Sequence, residues 1–270
     1  MPQQGTIRAG MGGWIFEAWD RTFYPADLPK KRQLEFASRQ VSTIEINATY
    51  YRGQAPATLA KWAAEAPDGF VYALKGNRFV TNRKVLAEAG GSLDKFFAQD
   101  VSVLGAKLGP ILWQFAPTKR FEPDDFEAFL ELLPTSSNGV PLRHALEVRH
   151  DSFKVPEFVE LAARYNAAIV YADHFTYPAI ADVTADFAYL RLQTGDDSIP
   201  TAYAPEALAR WAGIAGSLAR GDVPDGLPLA HPQRPVAKTP RDVFIFFIHE
   251  GKARAPHAAM AFMDLVSPRQ

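Results

Sequence analysis

Charged and amide side chains stand at the ends of short apolar runs throughout this 270-residue sequence. In residues 43–47 (TIEIN) two isoleucines alternate with Glu45 and Asn47, and in a later run leucine and valine alternate with Glu147 and Arg149. Because successive side chains of a β-strand point to opposite faces, each run places its polar residues together on one face. A carboxylate held beside a cation stays ionised, so these positions are candidates for acid–base chemistry.

Five more apolar runs also end in a polar residue, and together the runs predict an active site. Glu147 is the predicted general base, and Lys75 is its predicted partner because a lysine can donate a proton or stabilise a developing oxyanion. The predicted catalytic residues are Glu147, Lys75, Asp173 and His249. The predicted substrate-binding residues are Trp14, Glu45, Asn47, Tyr50, Gln114, Arg149 and Arg191.

The elements that must position these residues follow from the alternation of apolar runs with amphipathic stretches. Strands are predicted over residues 7–10, 43–47, 70–75, 110–114, 144–149, 168–173, 187–191 and 243–249. Helices are predicted over residues 30–40, 57–66, 93–104, 123–133, 156–165, 205–220 and 255–266. Eight strand–helix units without a long linker predict one α/β domain over residues 1–270, a (β/α)8 TIM barrel.

One unit of this predicted barrel is short. Residues 175–186 separate the sixth strand from the seventh, and Tyr177 precedes Pro178, which disfavours the helical conformation at Tyr177. We therefore expect the helix between strands six and seven to be missing or degenerate.

The C-terminal strand ends of such a barrel meet at one mouth, where these enzymes carry out their chemistry. The polar residues are therefore expected to line one pocket that acts on or binds a small polar molecule, anionic or sugar-like. Arg149 and Arg191, with Lys75 nearby, are expected to bind an anion, because a guanidinium group matches carboxylate and tetrahedral oxygens. A lyase, an isomerase or a hydrolase would fit these groups.

Composition narrows the function classes. The formal charge is −1 and no block of lysine or arginine stands out, so nucleic acid is not an expected partner. The absence of cysteine excludes disulfides, zinc-thiolate sites and thiol nucleophiles. Neither a signal sequence nor a run of ~18 apolar residues is present, so we expect a cytoplasmic protein without a membrane partner. No cofactor is predicted.

Other interpretations of the same residues remain open. Glu45, Glu147, Asp173 and His249 could hold a divalent metal in an isomerase or hydrolase, although the neighbouring arginines would compete for the carboxylates. Lys75 could form a Schiff base. The charges could be ion pairs that fill the barrel, or the mouth could bind a metabolite without catalysis, because a fold does not decide a function.

Several stretches of the sequence resemble the YecE-like family, a TIM-barrel group without a settled activity. The resemblance covers nearly the whole chain and rests on GGW at 12–14, EINATYY at 45–51, FVYALK at 70–75, LGPILWQF at 108–115, EVRH at 147–150 and YLR at 189–191. It implies a TIM barrel with its site at the strand-end residues named above. The sequence departs from the family pattern at Asn82, Gln193 and His249.

Overall fold

The structure is a computed structural model that describes residues 4–266. Its strands are β1 (Ile7–Gly12), β2 (Thr43–Ile46), β3 (Val71–Lys75), β4 (Leu108–Gln114), β5 (Ser136–Ser137), β6 (Val140–Pro141), β7 (His144–Glu147), β8 (Ala168–Asp173), β9 (Phe187–Thr194) and β10 (Asp242–Glu250). Strands β5 and β6 form a small antiparallel ribbon, and the other eight close a parallel barrel in the order β1-β10-β9-β8-β7-β4-β3-β2. The predicted α/β barrel is confirmed.

Helices connect the strands of the barrel. They are α1 (Gln33–Gln40), α2 (Ala48–Tyr51), α3 (Pro56–Glu65), α4 (Arg78–Thr81), α5 (Gly90–Phe97), α6 (Pro123–Glu131), α7 (Pro156–Arg164), α8 (Pro205–Arg220) and α9 (Ala255–Val266). Four of them, α3, α6, α7 and α8, begin with proline, whose missing N–H would have no partner in the first turn anyway. The short helices α2 and α4, directly after β2 and β3, were not predicted.

The helix predicted over residues 93–104 is divided into two elements. Helix α5 ends at Phe97, and Asp100 adopts a φ of 55° in the left-handed region, which cannot continue a right-handed helix. Two short 3₁₀ turns within Val101–Lys107, separated by non-helical backbone at Gly105, then lead into β4. The prediction was wrong here because apolar spacing alone does not show a change of backbone direction.

The connection from β8 to β9, residues 174–186, contains no helix. The proline-rich residues 221–241 pack against this connection instead. Asp182 accepts hydrogen bonds from the backbone N–H groups of Ala230 and His231 at 2.6 and 3.0 Å, and Ala181 donates to the Pro228 carbonyl at 2.9 Å. These bonds tie the two irregular segments to each other.

The barrel interior changes from apolar to polar along the strands. Its inner cluster includes Val71, Ala73, Leu112, Ala145, Val170, Tyr189 and Phe246, while the residues between them pack outward against the helices. Two residues further along β3, β4, β7 and β9, the same inner face carries Lys75, Gln114, Glu147 and Arg191. An apolar layer therefore supports a polar layer at the C-terminal end of the barrel.

Candidate functional site

A buried arginine joins two glutamates inside the polar layer. Arg191 on β9 donates from Nε to Glu45 Oε2 at 3.1 Å, from Nη2 to Glu45 Oε1 at 2.9 Å, and from Nη1 to Glu147 Oε2. Both glutamate side chains are fully buried, and that of Arg191 is 5% exposed. Tyr189 adds a hydrogen bond of 2.7 Å to Glu45. The network links β2, β7 and β9, which are not neighbours in the barrel, and it spares the three charges the cost of being buried unpaired.

Both carboxylate oxygens of Glu147 accept hydrogen bonds. Gln114 Nε2 lies 2.6 Å from Oε2, and Arg149 Nε and Nη2 lie 3.2 and 3.0 Å from Oε1. Burial alone would raise the pKa of Glu147, but Arg191, Arg149 and the hydrogen bond from Gln114 outweigh burial and lower this pKa to about 2. Gln114, Arg149 and Arg191 therefore occupy both oxygens of Glu147, and this geometry allows the carboxylate to position the two arginines.

Lys75 is the cation that the network leaves unpaired. In residues 4–266 its ammonium group has neither a hydrogen bond nor an ion pair with protein, and its Nζ lies 4.4 Å from the centre of the Tyr50 ring. Burial, and then the charge of Arg191, lower the pKa of Lys75 to about 8, although Glu45 and Glu147 partly oppose this shift. An amine with this pKa can exchange protons near neutral pH.

A cavity of about 640 Å³ opens above the polar layer, and its volume is typical of a small-molecule site. Lys75, Gln114, Arg149 and Arg191 line it. Gln193 also lines it and was missed, because the predicted seventh strand stopped at Arg191. The side chain of Gln193 is 1% exposed, and its Nε2 has no hydrogen-bond partner anywhere in the described chain. A bound molecule could supply that partner.

Several predicted residues lie at the rim of the mouth. Asn47 and His249 line the cavity, and the Arg149 guanidinium lies 4.5 Å from the centre of the Tyr177 ring. His249 comes two residues after Phe247, which faces outward from the barrel. The pairing of β10 with β9 shifts register between Phe247 and Glu250, and His249 has a φ of 67°. This irregularity in the strand coincides with the position of His249 at the rim. Its side chain is 54% exposed.

Two predicted site residues lie elsewhere. Asp173 shares the outer face of β8 with Tyr171, whose ring packs on Trp211 of α8 at 5.4 Å, and its carboxylate accepts a hydrogen bond from Thr194. Because Val170 occupies the inner face, the alternation places Asp173 outside the barrel. Trp14 packs edge-on against Trp62 of α3, with ring centres 5.1 Å apart.

The four residues considered as metal ligands do not converge. Glu45 and Glu147 direct oxygens at Arg191, Asp173 lies on the outer face, and His249 lies at the rim. Within residues 4–266, no group of three or more histidine, aspartate or glutamate side chains could hold a metal ion. This donor geometry does not fit the metal-dependent interpretation.

The fold and the site define the class of protein. It is a parallel α/β barrel with buried ion pairs beneath a polar cavity at its C-terminal mouth. Residues 8–270 match the family described as "Protein of unknown function DUF72", and the chain belongs to that family. A search of curated proteins gave no match. No helix in the described range is long and apolar enough to cross a membrane.

Solved structures of the same family share the fold. A DUF72 protein from Thermotoga maritima is 19% identical, with a TM-score of 0.72 over 97% of this chain and 99% of the other. A DUF72 protein from Enterococcus faecalis is 14% identical, with a TM-score of 0.68 and full coverage of both chains. SacUVDE, which is not described as a DUF72 protein, is 10% identical, with a TM-score of 0.50 over 96% of this chain and 99% of the other. At these identities the likeness extends to the fold alone.

Proposed function

We propose that this DUF72 protein is an enzyme that binds a small anionic or sugar-like molecule in the mouth cavity and transforms it with Lys75. The observation that carries the proposal is the unpaired ammonium group of Lys75, which stands in a cavity where both nearby glutamates are already neutralised by arginine. Retaining a buried, unpaired cation costs stability, so a functional reason for Lys75 is the simplest account of it.

The anion contacts that we propose differ from those expected from the sequence. All three nitrogens of Arg191 donate to glutamate oxygens, whereas Nη1 of Arg149 has no acceptor among the described residues. We therefore assign anion binding to Lys75 and Arg149, and positioning of this pair to Arg191, Glu45 and Glu147. The amides of Gln193 and Asn47 would bind neutral polar groups of the ligand.

Lys75 is proposed as the catalytic residue, as a proton donor or as an amine nucleophile. A pKa of about 8 leaves a substantial neutral fraction near pH 7.5, and both roles need such a group. His249 at the rim is within the same mouth and is a secondary candidate for proton transfer. Asp173, on the outer face of β8, is not part of this proposal.

Labelling with pyridoxal 5′-phosphate and borohydride tests the proposal. A neutral lysine amine attacks the aldehyde carbon, water leaves, and borohydride delivers a hydride to the imine, which fixes the label for mass spectrometry. An amine of pKa 8 has on the order of a hundredfold more neutral form at pH 7.5 than an ordinary lysine. We expect Lys75 to be labelled ahead of the exposed Lys31, and citrate or sulfate to protect Lys75 alone. Equal labelling of the two, or no protection by either anion, would refute the assignment.

The competing function is a binding protein without catalysis. Incubating a metabolite pool with wild-type protein and with Lys75→Met distinguishes the two functions, since only an enzyme consumes a compound that the variant leaves unchanged.

We also propose, from the sequence resemblance, that the chain belongs to the YecE-like group within DUF72 and acts in the cytoplasm on a small molecule.

A further inference from the structure

A second cavity, of about 620 Å³, lies beside the mouth where the chain leaves β2 and β3. We call it the side groove and define it by the lining residues Tyr51, Arg52, Phe79, Asn82, Arg83 and Lys95. Tyr51 lines both the side groove and the mouth cavity, so the two are adjacent. The site described above uses none of the other five residues.

Two exposed aromatic rings form one wall of the side groove. Tyr51 is 62% exposed and Phe79 is 60% exposed. The Arg78 guanidinium lies 5.9 Å from the centre of the Tyr51 ring and 5.2 Å from that of Phe79, which places it beside both. Aromatic rings and guanidinium planes of this kind stack well on flat ring systems.

The charges in the side groove are all positive. Arg52, Arg83 and Lys95 line it and Arg78 stands beside it, whereas aspartate and glutamate do not occur in its described lining. None of these four cations forms an ion pair with another residue between positions 4 and 266. Four unpaired cations in one place attract a ligand with more than one negative charge, and phosphate is the common group of that kind.

Hydrogen bonds already orient part of this positive wall. Arg83 donates from Nε to the Phe79 carbonyl at 3.1 Å and from Nη2 to Ser92 Oγ at 2.9 Å. The Asn82 side-chain amide lines the groove and makes no hydrogen bond to another described residue. An amide carries both a donor and an acceptor, which matches the edge of a nucleobase.

We propose that the side groove binds a nucleotide. The base stacks on Tyr51 and Phe79, its edge meets the Asn82 amide, and the phosphate lies among Arg52, Arg83 and Lys95. This inference goes beyond the function proposed for the mouth, because it does not require Lys75. A mononucleotide is favoured over a nucleic-acid strand because these cations are confined to one groove and the chain carries a net charge of −1.

Titration calorimetry with three compounds tests which chemical parts are bound. Adenosine 5′-monophosphate contains base and phosphate, ribose 5-phosphate lacks the base, and adenosine lacks the phosphate. Stacking one base on an aromatic side chain is worth about five- to 150-fold in affinity. We expect adenosine 5′-monophosphate to bind at least fivefold more tightly than either of the other two. Equal affinity for ribose 5-phosphate would overturn the stacking role, and equal affinity for adenosine would overturn the phosphate role.

Matched variants locate the binding. Phe79→Ala is expected to weaken adenosine 5′-monophosphate binding at least fivefold, and Lys95→Gln to weaken it about tenfold. Phe175→Ala removes an exposed ring in the connection between β8 and β9 and should leave the affinity unchanged. If Phe79→Ala and Phe175→Ala behave alike, the groove is not the binding site.

Two further measurements distinguish a nucleotide in the side groove from a nucleotide in the mouth and from a nucleic-acid strand. Lys75→Met should keep the wild-type affinity for adenosine 5′-monophosphate, even though it removes the residue that we expect to be labelled in the mouth. Loss of nucleotide binding in Lys75→Met with full binding in Lys95→Gln would assign the nucleotide to the mouth and overturn the groove site. An affinity that rises more than tenfold from the mononucleotide to a ten-nucleotide DNA strand would replace the mononucleotide by nucleic acid.

Discussion

The two ends of the barrel interior carry ion clusters of opposite composition. At the C-terminal end, Arg191 lies between Glu45 and Glu147, and the three side chains are at most 5% exposed. At the N-terminal end, Asp242 lies between Arg8 and Arg143 at 3.3 and 3.1 Å, and these side chains are 16–30% exposed. One end pairs a cation with two anions out of water, and the other pairs an anion with two cations in partial contact with water.

This difference in solvent contact predicts that the fold depends on the two clusters to different degrees. Water screens the N-terminal pairs, and losing one partner there leaves the other hydrated. At the C-terminal end the same loss would strand a charge in a dry interior. The C-terminal cluster also adjoins Lys75, an unpaired cation whose pKa responds to the charges of Arg191, Glu45 and Glu147.

Removing the central arginine should have the largest effect. Arg191→Met leaves Glu45 and Glu147 buried without their main cation, and we expect the free energy of unfolding to fall by about 3–5 kcal/mol. Urea unfolding at pH 7 measures this change. A loss below about 1 kcal/mol would mean that the C-terminal cluster is as well hydrated as the N-terminal one, and the contrast would fail.

Removing the charge of Glu147 should have the next largest effect on the free energy of unfolding, and this effect should depend on pH. A folded pKa of about 2 against an ordinary value of 4.5 stabilises the fold above pH 4.5, and this stabilisation is lost as the pH falls towards 2. The shift corresponds to about 3 kcal/mol. Glu147→Gln should therefore lose about that amount at pH 7 and show a weaker acid dependence between pH 4.5 and 2 in urea unfolding. If the free energy of unfolding of Glu147→Gln depended on pH as that of the wild type does between pH 4.5 and 2, the lowered pKa of Glu147 would be contradicted.

Removing the unpaired lysine should change stability in the opposite direction. The pKa of Lys75 is lowered from 10.5 to about 8, so the charged form destabilises the fold below pH 8, and wild-type stability rises as the pH goes from 8 towards 10.5. Lys75→Met should raise the free energy of unfolding at pH 7 by about 1–3 kcal/mol and abolish that rise. A destabilised Lys75→Met protein would show that the lysine is a structural partner.

The smallest effect is expected at the N-terminal end. Arg143→Met leaves Asp242 with Arg8 and with the backbone N–H of Thr6, which donates to Asp242 at 2.9 Å. We expect a loss of about 0.2–1 kcal/mol, reduced further at high salt. The urea experiment used for Arg191→Met measures it. A loss as large as that of Arg191→Met would remove the distinction between the two ends.

Alternation along the strands predicted most of the polar layer, and its failures have identifiable causes. Glu147 and Arg191 follow small or aromatic inner residues, so their faces were correctly paired with the interior. Asp173 was placed inside because it ends a strand, although it shares a face with the bulky Tyr171, which needs a helix to pack on. Gln193 was missed because the predicted strand was too short by three residues, since β9 continues to Thr194.

The sequence by itself determined the eight strands, most of their inner and outer faces, and the polar residue at the end of nearly every strand, because these depend on local spacing of apolar side chains. Only the tertiary structure decided which charges meet. Glu45 and Arg191 are 146 residues apart, and their pairing follows from barrel closure. Barrel closure also left Lys75 without a carboxylate partner among the described residues and brought four cations together at the side groove. Local spacing in the sequence carries no information about such contacts between distant strands and loops.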